Sequence, residues 1–193
     1  MRGKFKFMTQ NNTRYAAYTG LFTTLIILGA FIKIPVPVIP FTLQFLFVSL
    51  SGLLLGPKYG GLSVLLYAAL GLIGLPVFTA GGGITYVLFP TFGYIIGFIL
   101  ASFFTGFISS KMQENTKNYM FASFCGLIIL HITGIPYYYI ISHYVIQNTL
   151  TFKEIFLFCF VYTVPGDLLL CFISARIALK LKPFINKGNS DDK

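Results

Sequence analysis

Charge is what this chain most lacks. Asp, Glu, Lys and Arg make up 10% of its 193 residues, where a soluble domain carries about a quarter. Only five residues are acidic, while 56% are hydrophobic and the mean hydropathy is +0.81. A water-soluble domain is excluded. Histidine is limited to His131 and His143, without an HExxH context, and the three cysteines Cys125, Cys159 and Cys171 lie in apolar runs with no CxxC spacing. The cysteines read as small buried hydrophobes, and no metal site or cofactor is expected. There is no GxSxG nucleophile, no pair of intramembrane aspartates for peptide hydrolysis, and no GxxxxGK[ST] loop to cradle ATP phosphates. An enzyme is therefore not expected, and active transport would need energy from another polypeptide.

What is present is a series of apolar runs. The length accommodates about six spans of roughly 20 residues with short connectors. The runs predict helices near Ala16–Ile32, Thr42–Leu55, Tyr59–Leu75, Thr91–Ser110, Tyr119–Ile141 and Ile155–Leu181. This makes an all-α membrane protein, with a cytoplasmic segment 1–15, a six-helix membrane domain 16–182 and a cytoplasmic tail 183–193. The first apolar run lacks a small-x-small cleavage site, so a retained helix is expected rather than a signal peptide.

Basic residues set the orientation. With both termini inside, Arg2, Lys4, Lys6, Arg14, Lys58, Lys111, Lys117, Arg176, Lys180, Lys182, Lys187 and Lys193 are cytoplasmic and only Lys33 and Lys153 lie outside, dividing the 14 Lys and Arg residues 12 to 2. The positive-inside rule then predicts cytoplasmic termini and a multi-pass cell-membrane protein. The net charge of +9 is placed for anionic lipid at the cytoplasmic face rather than for nucleic acid.

Two outer connectors are unusually apolar. One is Ile34-Pro35-Val36-Pro37-Val38-Ile39-Pro40; the other, Pro76–Pro90, carries Thr79-Ala80-Gly81-Gly82-Gly83-Ile84-Thr85-Tyr86. Non-helical backbone at membrane depth is tolerated where it packs in protein or lines a cavity, so both are expected to fold over an outward-facing pocket. Small residues recur at four-residue spacing in Gly52, Gly56 and Gly60, in Gly93 and Gly97, and in Ala16 and Gly20. Such faces let helices approach closely, either within the bundle or, for the first helix, against another subunit.

Asp167 is the one carboxylate inside an apolar helical run, Thr163-Val164-Pro165-Gly166-Asp167-Leu168. An ionisable group at that depth costs a few kcal/mol or more and ordinarily handles a ligand, an ion or a proton. Three roles are open: proton coupling, bonding of backbone groups freed by Pro165, and acceptance of ligand N–H donors. His131 reads as a core histidine. Gln44, Thr91, Tyr86 and Tyr94 are the other polar groups near the outer half, and with Phe41 and Phe78 they would make a mostly apolar small-molecule site.

Several of these segments together resemble one family. They are Pro40-Phe41-Thr42-Leu43-Gln44, Gly52-Leu53-Leu54-Leu55-Gly56-Pro57-Lys58-Tyr59-Gly60, Gly71-Leu72-Ile73-Gly74-Leu75-Pro76-Val77-Phe78, the glycine run, Pro90-Thr91-Phe92-Gly93-Tyr94 and Pro165-Gly166-Asp167-Leu168. In this order, across the whole membrane domain, they are similar to the BioY family, the biotin-specific S-components of energy-coupling factor (ECF) transporters.

The resemblance implies an S-component fold that binds biotin on the extracellular side. It further implies a transmembrane coupling subunit and two ATPase subunits as partners, docked through the Ala16–Gly20 face. An S-component for riboflavin or thiamine, or a proton-coupled transporter using Asp167, are the rival readings. For biotin, Asp167 would accept ureido N–H groups while Tyr, Gln or loop amides serve the carbonyl. Leu170 stands where many members of the family carry lysine, Ile95 where some carry arginine, and glycine where some carry an asparagine in the glycine loop. The biotin carboxylate is therefore expected at the amides of Gly81, Gly82 and Gly83 first, with Lys33 or bulk water as alternatives.

Overall fold

The computed structural model describes residues 2–34, 40–148 and 150–187. Among these, the order is α1 (Arg2–Phe31), β1 (Lys33–Ile34), β2 (Phe41–Thr42), α2 (Gln44–Ile73), α3 (Phe92–Ser109), α4 (Thr116–Tyr144), α5 (Phe152–Phe156) and α6 (Val164–Lys187), with a 3-10 turn over Ile84–Leu88 and a π-helical turn over Leu157–Val161. Among the described residues, four helical stretches are long and apolar enough to cross a bilayer: Gln44–Ile73, Phe92–Ser109, Thr116–Tyr144 and Phe152–Ile185. α1 begins at Arg2, well before the expected Ala16. No proline interrupts residues 2–31, so the polar N-terminal stretch continues the same helix.

Helix α2 is two helical arms joined at a sharp break. At Gly56 the backbone has φ 76° and ψ −176°, a left-handed φ that glycine adopts without a Cβ penalty. Pro57 follows and starts the second arm, where its missing N–H and fixed φ suit a first helical turn. The chain turns back, so that a Cβ built on Gly60 would lie 2.9 Å from the Cα of Gly52. Gly60 and Gly52 are the contact that keeps the two arms together. The arms correspond to the second and third helices expected from the sequence.

Two buried clusters stack along the bundle. One, around Ile26, Phe45, Val48, Val64, Tyr67, Phe98 and Leu130, surrounds the site described below. The other, around Phe22, Leu50, Leu53, Tyr119, Ala175 and Ala178, lies toward the end that carries Lys182. Ser49, Ser123 and Ser174, all fully buried on α2, α4 and α6, are linked by hydroxyl contacts of 2.7, 3.1 and 3.4 Å. Removed from water, each hydroxyl has a partner, which is the condition for burying it cheaply.

The outer surface is apolar. Leu21, Leu65, Ile73, Phe121, Ile132, Leu169 and Phe184 are among the large hydrophobic side chains more than two-fifths exposed. In water such a surface would aggregate, whereas acyl chains cover it without penalty.

The last membrane stretch is built in pieces. Pro165 has no N–H for the preceding turn, and the ladder shifts there to a π-type bond from Tyr162 N–H to the Leu157 carbonyl, 3.2 Å. α6 starts afresh at Val164, which puts Asp167 in its first turn, where the helix macrodipole favours a carboxylate.

Candidate functional site: a polar-ended cavity beneath the connecting loops

α2, α3, α4 and α6, with Pro40, Phe41 and Thr42 and with Thr79 and Tyr86 of the glycine loop, line a cavity of about 670 Å³ when the solvent space at its mouth is included; residues 35–39 of the first connector, also expected over the pocket, lie outside the described residues. Its wall is mostly aromatic and aliphatic, with Phe41, Phe45, Ile95, Phe98 and Leu130 among its lining residues. The polar groups fall into three sets.

The deepest set surrounds Asp167, 7% exposed. Its Oδ2 lies 3.9 Å from Nε2 of His131, which comes from α4 and is 5% exposed. The His131 Nδ1 is 3.0 Å from the Leu127 carbonyl one turn earlier, and Nε2 is 3.3 Å from Oγ1 of Thr163. That hydroxyl donates to the Cys159 carbonyl at 2.8 Å. The Tyr94 hydroxyl, from α3, is buried beside this set without a hydrogen-bond partner.

The second set is a side-chain relay from β2 into α2. Thr42 Oγ1 donates to Gln44 Oε1 at 3.3 Å, and Gln44 Nε2 donates to the Tyr67 hydroxyl at 2.8 Å. The third is at the loop end. Tyr86 OH bridges Thr79 Oγ1 at 3.2 Å and Thr91 Oγ1 at 3.1 Å. Lys33 Nζ donates to the Thr79 carbonyl at 3.4 Å and is exposed. The two-residue β-ladder places Lys33 opposite Thr42 and Ile34 opposite Phe41, which fixes the lysine over a lining residue.

Of the residues expected from the sequence, Asp167, Gln44, Tyr86, Tyr94, Thr91 and Phe41 line the cavity. Phe41 also explains Gly166: a Cβ there would meet the Phe41 ring at 2.7 Å, so the glycine makes room for the ring rather than loosening the helix. Phe78 is 1% exposed and does not line the cavity; it packs behind it, edge-on to Tyr67 at 5.3 Å and tilted against Tyr86 at 4.5 Å. The ring occupies the volume left by Gly71, where any Cβ would overlap it. Gly82 and Gly83 also lie outside the lining. The Gly83 N–H donates to the Gly71 carbonyl at 2.7 Å and the Gly81 N–H to Phe78 at 3.2 Å, so these amides already hold the loop shut.

Tyr67, Thr79, His131, Cys159 and Thr163 line the cavity without having been expected there. Cys159 and Thr163 precede Asp167 by two helical turns and one, a spacing that could have been read had the π-turn been foreseen. Tyr67 and His131 carry no local signal, because each reaches the site by tertiary packing alone.

The BioY family model matches residues 2–187. The chain belongs to the BioY family. Among its relatives, the probable biotin transporter BioY of Lysinibacillus sphaericus is 43% identical over 175 residues, covering 90% of this chain and 89% of that protein. The biotin transporter BioY of Thermotoga maritima is 40% identical over 166 residues, covering 84% and 92%. The fold is similar to the crystal structure of the S-component for biotin from an ECF-type ABC transporter, with TM-score 0.78 and 28% identity over 90% of this chain and 93% of that one. In this BioY chain, Ile95 is part of the cavity wall and Leu170 is buried in the core beside Cys171. Neither supplies a polar group.

Proposed function

We propose that this chain is the biotin-binding membrane subunit of an ATP-driven ECF uptake transporter. It is a multi-pass protein of the bacterial cell membrane and a transport component rather than an enzyme. Six membrane passes with both termini cytoplasmic fit the 12-to-2 division of basic residues and the reversal at Gly56. The cavity then opens to the outside, beneath the loops that carry Lys33 and Thr79.

The observation that carries the reading is a buried carboxylate, Asp167, set among a few polar groups in an otherwise apolar cavity, with the exposed cation Lys33 outside the lining but bonded to the carbonyl of the lining residue Thr79. Biotin has a compact bicycle whose ureido group offers two N–H donors and a carbonyl, and a flexible valerate ending in a carboxylate. The head goes to Asp167, where burial makes a charged acceptor worth about 1.5–3 kcal/mol. The tail goes toward Lys33. Lys33 replaces the glycine-loop amides as first choice because the Gly81 and Gly83 N–H groups are engaged within the loop.

Energy for transport would come from a transmembrane coupling subunit and two ATPase subunits. The open face for docking is on α1: Ala16 is exposed, and a Cβ built on Gly20 meets nothing within 4 Å. Calorimetric titration of the purified protein with biotin and with riboflavin tests the assignment. Biotin binding with no riboflavin signal is expected, and the reverse overturns it.

The close Asp167–His131 pair favours one second reading, a proton-coupled carrier. Full-rate uptake by this chain alone in liposomes, abolished by an uncoupler, would establish that reading instead.

A further inference from the structure

Three hydroxyls meet at the loop end of the cavity. Tyr86 OH lies 3.2 Å from Thr79 Oγ1 and 3.1 Å from Thr91 Oγ1, and all three residues line the wall. Thr91 precedes α3 without capping it, so its side chain serves Tyr86 rather than the helix. Three hydroxyls carry three protons, and the two contacts among them use at most two. Among the described residues, no other acceptor takes a proton from the trio. The count holds whichever way the two bonds run, so one O–H is always left over. Which one decides the chemistry. Tyr86 is 2% exposed, while Thr79 and Thr91 are half-buried. A phenol is a stronger hydrogen-bond donor than an alcohol. When both threonines donate into the phenol oxygen, its own proton is the one left for the cavity, and the two incoming bonds strengthen it.

We propose that Tyr86, backed by Thr79 and Thr91, donates the directional hydrogen bond to the carboxylate of the ligand's tail. Lys33 Nζ, on the carbonyl of Thr79 at 3.4 Å, puts a positive charge beside the trio. A donor strengthened by two hydroxyls and set near a cation suits an anion better than a neutral acceptor. The Gly81 and Gly83 amides, spent within the loop, cannot take that place. The inference rests on biotin as the ligand and divides the work at its tail: Lys33 contributes a screened charge outside the lining, and Tyr86 a bond inside it. The cavity therefore selects a free carboxylate over its ester.

The test titrates the full-length protein in detergent with biotin and with biotin methyl ester. Tyr86→Phe should weaken biotin by about tenfold or more and the ester by no more than about threefold. Thr91→Val, which removes one backing donor, should give a few-fold loss confined to the acid. The Tyr86→Phe loss should persist in a Lys33→Gln background, because the two groups act separately. With biotin ¹³C-labelled at the carboxyl, the bound signal should differ between the wild type and Tyr86→Phe, which a merely structural tyrosine would not cause. Equal losses for acid and ester overturn the proposal, as do an unchanged affinity for the acid, a loss that vanishes in Lys33→Gln, or the same bound carboxyl signal in both proteins. Should Tyr86→Phe not fold, Thr91→Val decides, and the absence of an acid-selective loss there overturns it. If the wild-type protein does not bind biotin, the functional reading fails and this one with it; if it binds while acid and ester respond alike to Tyr86→Phe, only the present inference fails.

Discussion

The Gln44 side-chain amide donates to the Tyr67 hydroxyl across 2.8 Å, although 23 positions separate the two residues on the two arms of α2. A straight helix would hold them about 34 Å apart at ~1.5 Å per residue. The contact exists because the chain reverses at Gly56, and it spans the two arms of α2 at the level of the cavity.

That bond sets a stability prediction. Tyr67→Phe leaves the 4%-exposed Gln44 amide without its acceptor, which should cost about 1–3 kcal/mol. Replacing both partners, in Gln44→Leu with Tyr67→Phe, should recover part of the loss, since no orphaned amide then remains. Thermal unfolding in detergent reads the difference between the single and double variants.

Asp167→Asn keeps the shape and removes the charge. If the carboxylate holds the ureido group, biotin affinity falls by about tenfold or more. Calorimetry would show this directly, and an unchanged dissociation constant would rule out the ligand role.

Lys33 is exposed, so its contribution is screened and small. Lys33→Gln should weaken biotin only a few-fold, in line with the ~0.2–1 kcal/mol of exposed ion pairs. Uncharged biotin methyl ester should bind both forms alike, and the difference for biotin should shrink in high salt. Equal sensitivity of acid and ester would remove Lys33 from the tail site.

Two glycines separate folding from docking. At Gly52 a Cβ would lie 3.1 Å from the Gly106 nitrogen and 3.2 Å from Thr105 Cβ, closer still to the Ser102 carbonyl. Gly52→Leu should therefore destabilise the bundle by more than the ~1–3 kcal/mol of ordinary overpacking. Gly20 meets nothing. Gly20→Leu should leave stability and biotin binding in detergent intact while abolishing ATP-dependent uptake in cells that supply the other subunits. Normal uptake would show that the α1 face is not the docking surface.

Much of this molecule is legible in sequence. Scarce charge and long apolar runs demand a bilayer, because no soluble fold could leave so many hydrophobic side chains uncovered. Gly56-Pro57 reads as a break between helices, and Asp167 stands out because a carboxylate within an apolar run has few physical justifications. Aromatic and hydroxyl residues near the loops pointed to a pocket. The roles within it were less visible. Phe78 and Phe41 look equivalent in sequence, yet one packs behind the wall over Gly71 and the other lines the cavity against Gly166.

The sequence by itself determined the membrane class, the family, the helical runs and the carboxylate, since each follows from composition or from short-range pattern. Only the tertiary structure decided what that carboxylate faces. His131 is 36 positions from Asp167 and Tyr67 is 23 from Gln44, and separations of that size leave no periodic trace. Side chains on different helices meet where the helices cross, and the crossing is set by how glycines, serines and aromatic rings pack along their whole length. That packing turned a histidine without an evident partner into the neighbour of Asp167.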